Sequence, residues 1–540
     1  MYTSHHAEDQ KPEESEPVNT PPDSPSQQLF REIEPPAASQ KRAQPEPRQS
    51  ERMGRDVTNW QDQIKQGLAG GINREGHDDE HPTDEQARTC PKAREWAKAR
   101  QIEREKLQKY SVYTIVQQVP PGVQPVDTKW VYDVKKDSAG RITRYRARKV
   151  GRGFTQEYGL NYHDTFSQMA RSESWRVLLT LAINHGWTVM QWDVKATYLQ
   201  ADLDPEHQIY VKDLTESGDT EYWKLHKALY GLKQAGHQWY TRMRTIMTRT
   251  ARLTQSIGDP GCFYKKSKEL PTIVVSTHVD DMAGYGTLEA LLAFEKAVES
   301  EVELEKLGTP TKLLGMELTW TQGSVKLTQQ DSIGKLIKEH KIPEIPNRSI
   351  PLNLEAYAAP NPHDKENLLD PQEHTKYQSL VGSLLYINRM TRPDISVHVN
   401  LLGRRTSKPT KENMRIALQL GQYLASTKSE GLLITMLQKE NREAQIDIYV
   451  DASYGGENSR SQSGSLVMLY GTPIMWNSRR QDVVSMCKWG SGCFVWTSTS
   501  TSVLSRNRRG SSANYHLGVL QLERKRYQCS YYIEVCVLCS

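Results

Sequence analysis

Along this chain the hydrophobic positions switch between a helical period and a strand period, and the switches mark out the elements. Trp96, Ala99, Glu103 and Leu107 fall at helical spacing, which predicts a helix from about Ala93. From Thr128 to Phe154 the period drops to two. Trp130, Tyr132 and Val134 alternate with polar residues, Asp137–Gly140 offers a turn, and the alternation resumes from Ile142 to Val150, which predicts a β-hairpin. Ser172 can cap a helix whose Trp175, Leu178, Leu179 and Ala182 form an apolar stripe ended by Gly186. A short strand, Thr188 to Val194, then carries Asp193 at its end. Further on, the apolar, β-branched run Ile273–Val279 leads straight into Asp280-Asp281 and Met282–Tyr285, a strand–turn–strand with two carboxylates at the bend.

Composition divides the 540 residues further. The first 90 or so are rich in Pro, Glu, Gln and Ser and almost free of aromatics, which predicts a disordered acidic arm over 1–90. No apolar run of about 18 residues exists to span a membrane, and the polar Met1–Glu16 has no secretory character. Only Cys90 and Cys262 precede residue 487, so the body of the chain has no disulfide framework and reads as belonging to a reducing compartment. A net charge of +5 does not by itself announce nucleic-acid binding. The local charge does more. Residues 129–153 hold nine Lys/Arg against two Asp, and Arg144, Arg146 and Arg148 share one face of the return strand. Such a stripe is either a solvated strand face or a phosphate-binding surface, and in a near-neutral protein the second reading is favoured.

Asp-Asp at a turn is usually only a turn. A third aspartate at the end of a separate strand, Asp193, changes the reading. Three clustered carboxylates repel and raise one another's pKa unless a divalent cation neutralises them. Oxygen donors suit Mg²⁺, which keeps waters and substrate phosphate oxygens in its shell. Two such ions stabilise both oxygens of an in-line phosphoryl displacement.

From about Trp96 to about Ser485 the chain resembles the reverse transcriptase–ribonuclease H region of copia-type LTR retrotransposon Pol polyproteins. The resemblance rests on ordered strings: Lys129-Trp130-Val131-Tyr132, Arg144-Tyr145-Arg146-Ala147-Arg148, Gly153-Phe154-Thr155-Gln156, Asp193-Val194-Lys195-Ala196-Thr197-Tyr198-Leu199, Leu229-Tyr230-Gly231-Leu232-Lys233-Gln234-Ala235, His278-Val279-Asp280-Asp281 and Thr391-Arg392-Pro393-Asp394-Ile395. It implies an α+β fold: a right-hand polymerase of fingers, palm and thumb over 91–345, a connection over 346–440, and a partial ribonuclease H-like α/β domain over 441–485. It implies RNA-directed DNA polymerase activity with Asp193, Asp280 and Asp281 as catalytic and metal-binding triad, Mg²⁺ or Mn²⁺ as cofactor, and Asp281 in the supporting place. Lys149 and Arg152, or the Arg144–Arg148 stripe, are candidates to hold the incoming triphosphate, and the sequence does not choose among them. Tyr198 fits the family's aromatic gate against a ribose 2′-hydroxyl. Gln234 fits a residue along the template or nucleotide, and Lys233 a phosphate contact. Four positions depart from the family: His278 replaces a Tyr, Thr197 a small Ala, and Gln200-Ala201 an Asn-Gly-like turn. None removes a metal ligand.

The C-terminal domain resembles its family less completely. Ile446–Ser453 looks like the first ribonuclease H strand with Asp451 as its metal carboxylate, and Ser463–Val467 and Pro473–Ser478 like the next two. After that the family needs a glutamate-bearing helix and a later aspartate. Residues 486–540 hold no Asp, and their only acids are Glu523 and Glu534. Ribonuclease H activity is therefore expected to be lost, and the tail over 486–540, with its five cysteines and seven basic residues, reads as out of frame or, second, as a basic tail that binds nucleic acid. The second reading of the whole is a dead remnant that only binds nucleic acid. The resemblance implies a primed RNA or DNA template, deoxynucleoside triphosphates and other retrotransposon Gag and Pol products as partners. It implies cytoplasmic particles, with a nuclear stage, as the location.

Overall fold

The structure is a computed structural model that describes residues 81–136, 141–265, 272–343, 367–437, 445–453 and 460–482. The arm up to residue 80, the Asp137–Gly140 turn and the tail from 483 lie outside the described residues.

The chain is α+β with mixed sheets. It opens with helix α1 (Asp84–Thr89), started by a capping box in which Thr83 Oγ1 accepts from the Gln86 amide and Gln86 Oε1 from the Thr83 amide. Helix α2 (Ala93–Lys109) follows. Next come β1 (Tyr113–Val116), β2 (Val126–Lys136), β3 (Ile142–Gly151), helix α3 (Ser172–His185), β4 (Thr188–Val194), β5 (Tyr210–Leu214) and β6 (Thr220–Leu225). All of these strands except β4 form the first sheet, in the order β1-β6-β5-β2-β3, with β2 and β5 parallel. Ala87, Trp96 and Ala99 pack with Trp130, Tyr132 and Ala147 on one face of the β2–β3 hairpin. The expected arm over 1–90 is therefore too long at its end, because residues 83–90 form a capped turn of helix in that core.

The central sheet combines β4 with β7 (Thr254–Gln255), β8 (Cys262–Tyr264), β9 (Ile273–His278), β10 (Asp281–Gly286) and β11 (Leu304–Gly308). Its order is β11-β4-β10-β9-β8-β7, antiparallel throughout. Helix α4 (Ala235–Thr245) and helix α5 (Leu288–Glu299) give Trp239, Met243, Leu291, Phe294 and Val298 to the face that carries Trp192, Val275 and Met282. Helix α3 gives Trp175, Leu178, Leu179 and Ala182 to the face that carries Val189, Val274, Ala283 and Tyr285. Both faces are covered, so Ile273–Thr277 of β9 is buried at every position, the apolar residues and the hydroxyl residues alike. Gly186 ends α3 in the left-handed region, as expected, but the N-cap is Arg171; Ser172 is the first helical residue and accepts from Arg389 instead.

Beyond β11, strands β12 (Lys312–Leu313), β13 (Met316–Thr321), β14 (Ser324–Thr328) and β15 (Leu432–Thr435) form a third sheet. Helices α6 (Gln330–Glu339), α7 (Pro371–Met390), α8 (Ser396–Gly403) and α9 (Lys411–Ser426) share one apolar cluster. Both units bridge the boundary expected at 345: β15 completes the sheet of β14, and Ile333 of α6 packs with Tyr377 and Leu420. A last sheet of β16 (Ile446–Ser453), β17 (Gln462–Leu469) and β18 (Thr472–Arg480) lies on the outer side of α3, where Leu181 meets Leu469 and Ile474.

Candidate active site

Strand register brings the three aspartates together. Asp281 of β10 lies directly opposite Asp193 of β4 and, on its other side, opposite His278 of β9. The Val194 amide donates to the Asp280 carbonyl at 3.1 Å, so the turn is tied to the catalytic end of β4. The β9–β10 turn is only two residues long, Val279 and Asp280. Val279 has φ +61°, a region a β-branched residue rarely enters. Tight hairpins need such a conformation to follow the strand twist, and here it costs on the order of 1–3 kcal/mol. Two contacts oppose that cost: Val279 packs against the main core, and its carbonyl accepts from Trp239 Nε1 at 2.6 Å.

The electrostatics follow from this crowding. Burial, then Asp280, Asp281 and Glu305, push Asp193 up to about 6, against an opposing pull from Lys135. Burial and Asp280 also raise Asp281, while His278 and a hydrogen bond from Gln191 hold it down. Among the described residues no group of three acidic, histidine or cysteine side chains is gathered closely enough to hold a metal ion by itself. The donor set is oxygen-only and mutually repelling, which fits a hard divalent cation that takes the rest of its shell from water and phosphate.

The β2–β3 hairpin faces this site with one side only. Register pairs Lys135 with Arg144, Asp133 with Arg146 and Val131 with Arg148, so Lys135 joins the arginine stripe on the face away from α2. Burial, and after it the neighbouring Arg148 and Arg144 guanidinium groups, depress Arg146. Arg148 stacks over the Tyr230 ring at 5.6 Å, and Tyr230 meets Tyr198 edge to face at 5.6 Å. Tyr198 follows Asp193 because Ala196, at φ +51°, starts a 3-10 turn over Thr197–Gln200. The departure Thr197 is accommodated there, its buried hydroxyl donating to the Val194 carbonyl at 2.8 Å.

Two of the expected nucleotide ligands sit elsewhere. Lys149 has the opposite strand parity to the stripe and is 3% exposed. Its ammonium pairs with Asp213 and lies 4.6 Å from the Trp130 ring, on the α2 side. That leaves Arg152, exposed and 5.9 Å from the Phe154 ring, as the free cation of the two. Gln234 is buried with its amide occupied: Gln156 Nε2 donates to its oxygen at 3.1 Å and its nitrogen donates to the Asn161 carbonyl at 3.0 Å. Lys233 donates to the Gln156 carbonyl and the Tyr162 hydroxyl, so it too binds the 156–162 segment. The Leu229–Ala235 string is a clamp at this point. The Gly151 amide donates to the Tyr230 carbonyl at 2.8 Å, and a Cβ at Gly231 (φ +83°) would come within 2.4 Å of the Gly151 carbonyl. Asp451 lies exposed in the last sheet, its Oδ1 accepting from the Ala452 amide.

Lys135, Gln191, Tyr230 and Glu305 are the site residues that sequence reading passed over. Two of them have a signal: period two places Lys135 on the stripe's side of the hairpin, and Tyr230 stands inside the Leu229–Ala235 string.

Residues 110–354 match the family described as reverse transcriptase (RNA-dependent DNA polymerase). The chain is 31% identical over 408 residues to a retrovirus-related Pol polyprotein from transposon TNT 1-94 of Nicotiana tabacum, covering 73% of this chain and 30% of the relative. It is 30% identical over 387 residues to the Pol polyprotein from transposon RE1 of Arabidopsis thaliana, covering 68% and 25%. It is 23% identical over 373 residues to the transposon Ty1-JR2 Gag-Pol polyprotein of Saccharomyces cerevisiae, covering 65% and 20%. The chain thus spans less than a third of the length of these curated relatives. Among solved structures it is similar to a foamy viral protease-reverse transcriptase in complex with double-stranded DNA, at TM-score 0.40 and 11% identity, covering 73% of this chain and 58% of that one; so loose a likeness assigns no fold. The family match spans all three aspartates and the clamp string, and with the Pol relatives it identifies this part of the chain as a reverse transcriptase region of a retrotransposon Pol polyprotein.

Proposed function

We propose that the chain is an RNA-directed DNA polymerase of a copia-type retrotransposon that extends a primer 3′-hydroxyl. The central sheet is its palm, the first sheet its fingers, and the β12–β15 sheet with α6–α9 its thumb and connection. The observation that carries this reading is the register that sets Asp193 opposite Asp281 with Asp280 at the turn between. Asp193 and Asp280 would hold divalent cations, Mg²⁺ or Mn²⁺, with Asp281 beside them. When bound, such ions polarise the attacking hydroxyl and offset the triphosphate charge.

The chain's own residues do the rest. Lys135, Arg146 and Arg148 face the phosphates from the fingers hairpin, while Arg144 and Arg152 extend the positive surface toward the template backbone. Tyr198 occupies the space a ribose 2′-hydroxyl would need. Gln234 and Lys233 position the 156–162 segment rather than touching nucleotide. The partners are a primed RNA or DNA template, deoxynucleoside triphosphates and other Gag and Pol products, in cytoplasmic particles with a nuclear stage. Ribonuclease H activity is lost, since Asp451 has no second carboxylate of that site in the sequence that follows.

The test is extension of a DNA primer on an RNA template with Mg²⁺ and four deoxynucleotides. Extension by the parent that disappears in Asp280→Asn supports the reading. A folded parent that binds primed template but never extends it would make the chain a nucleic-acid-binding remnant. Template affinity should fall steeply with salt, as phosphate contacts release counterions.

A further inference from the structure

A gate discriminates only as well as it is held. The Tyr198 backbone is fixed by its 3-10 turn, in which the Ala201 amide donates to the Tyr198 carbonyl at 3.0 Å. Its ring is a separate matter, because a half-buried phenol otherwise has several staggered rotamers. The group that meets the ring comes from another part of the chain. Tyr230 stands at 5.6 Å with 74° between the planes, an edge-to-face arrangement that favours one ring orientation.

Tyr230 is itself unusually well held. Its carbonyl accepts from the Gly151 amide at 2.8 Å. The following Gly231, at φ +83°, seats the loop so closely against Val150 and Gly151 that no side chain fits. The Arg148 guanidinium lies over its ring at 5.6 Å, a cation–π contact. Burial first, and the negative charge of Asp280 in addition, oppose ionisation of both tyrosines, so each ring keeps its neutral phenol. A continuous line of contacts therefore runs from the arginine stripe through Arg148 and Tyr230 to Tyr198, five residues along the chain from Asp193.

We propose that Tyr230 is a positioning residue that sets the ring of Tyr198, and through it the preference for deoxyribonucleotides over ribonucleotides, with Arg148 holding Tyr230 in place. The proposal rests on the polymerase and gate readings above. It assigns a specific task to the tyrosine of the Leu229–Ala235 string, whose neighbours Gly231, Lys233 and Gln234 are engaged in clamping. Misplacing a reacting or excluding group by about 1 Å changes rates by as much as about 100-fold, so a loosened ring should show in selectivity before it shows in folding.

The experiment measures kcat and KM for dGTP and for GTP opposite the same template cytosine, using the full-length protein. Variants are Tyr230→Leu, Tyr230→Phe, Tyr230→Met and Tyr198→Ala. The expected result is a ratio of dGTP to GTP efficiency that falls about tenfold or more in Tyr230→Leu, mainly through a lower KM for GTP. Tyr230→Phe should restore the parent ratio, because the ring edge and the cation–π face remain. Should the leucine variant fail to fold, the methionine variant, of similar bulk but no ring, carries the same expectation. A parent-like ratio in folded Tyr230→Leu or Tyr230→Met, with Tyr198→Ala relaxed, would overturn the role of Tyr230 and leave the gate standing. A parent-like ratio in Tyr198→Ala would overturn the gate itself. No extension by the parent would overturn the polymerase reading and this proposal with it.

Discussion

The central sheet and the last sheet each carry an aspartate near the end of a strand that resembles a metal-binding motif, and their surroundings differ. Asp193 lies opposite Asp281, beside the Asp280 turn, and is driven up to about 6 by burial and by those neighbours. Asp451 is exposed and lies opposite a glycine, Gly464. The other acid on its face of β16, Asp447, is four residues back, about 13 Å at the strand rise, and is occupied by Gln445. A strand motif supplies one ligand, whereas a cation site needs register with a second element. The central sheet has that register, and the described part of the last sheet does not.

Several changes would break or sharpen this contrast. The largest effect should come from Asp193→Asn, which removes a carboxylate worth several kcal/mol of transition-state stabilisation, about 10³-fold in single-turnover extension; Asp451→Asn should leave that rate where it was. Next is Arg176, which couples the two regions. It is 1% exposed on α3, donates to the carbonyls of Ile474, Arg389 and Met390, and lies 4.2 Å from the Trp476 ring. Arg176→Met leaves those carbonyls unpaired, and denaturant unfolding should show a loss of about 2–4 kcal/mol. A smaller loss, on the order of 2 kcal/mol, is expected for Gly231→Ala, where a methyl group meets backbone at 2.4 Å in a left-handed conformation. Gly464→Ala in the last sheet, with only the Asp451 carbonyl at 3.9 Å, should stay within about 0.5 kcal/mol of the parent.

The smallest effect is in pH. Asp193 binds its proton more tightly folded than unfolded, so between its ordinary value of 3.8 and about 6 the native state holds the extra proton. Metal-free protein should therefore lose melting temperature as pH rises through that window. The drop is modest for a half-exposed group. Asp193→Asn should flatten the profile, and Mg²⁺ above pH 6 should restore the lost stability. A flat profile in the metal-free parent would count against the crowding of the three carboxylates.

Much of the site was legible because it is local. Ile273–Tyr285 declares a hairpin with aspartates at its bend, and the alternation in 142–150 places Arg144, Arg146 and Arg148 on one face. The same parity puts Lys149 on the other face, so among the open candidates position separates it from the stripe where charge does not. Its partner Asp213 lies some 60 residues away in sequence, on a strand of the same sheet, and no local pattern announces that pairing. Gln234 is similar: its motif marks the residue, but no local pattern shows that its amide holds Gln156 and Asn161. Helix α1 was missed although Thr83-x-x-Gln86 carries a capping-box signal, because the acidic composition around it dominated the reading. The expected boundary at 345 came with the family resemblance, and no local pattern reveals that β15 returns to pair with β14.

The most direct measurement puts both carboxylate sites in one tube. A labelled RNA template annealed to a DNA primer is incubated with Mg²⁺, deoxynucleotides and the full-length protein, and primer extension and RNA cleavage are read together for parent, Asp280→Asn and Asp451→Asn. The account predicts a parent that extends without cleaving, an Asp280→Asn variant that does neither, and an Asp451→Asn variant indistinguishable from the parent. Extension that survives Asp280→Asn, or RNA cleavage by the parent that disappears in Asp451→Asn, would contradict it.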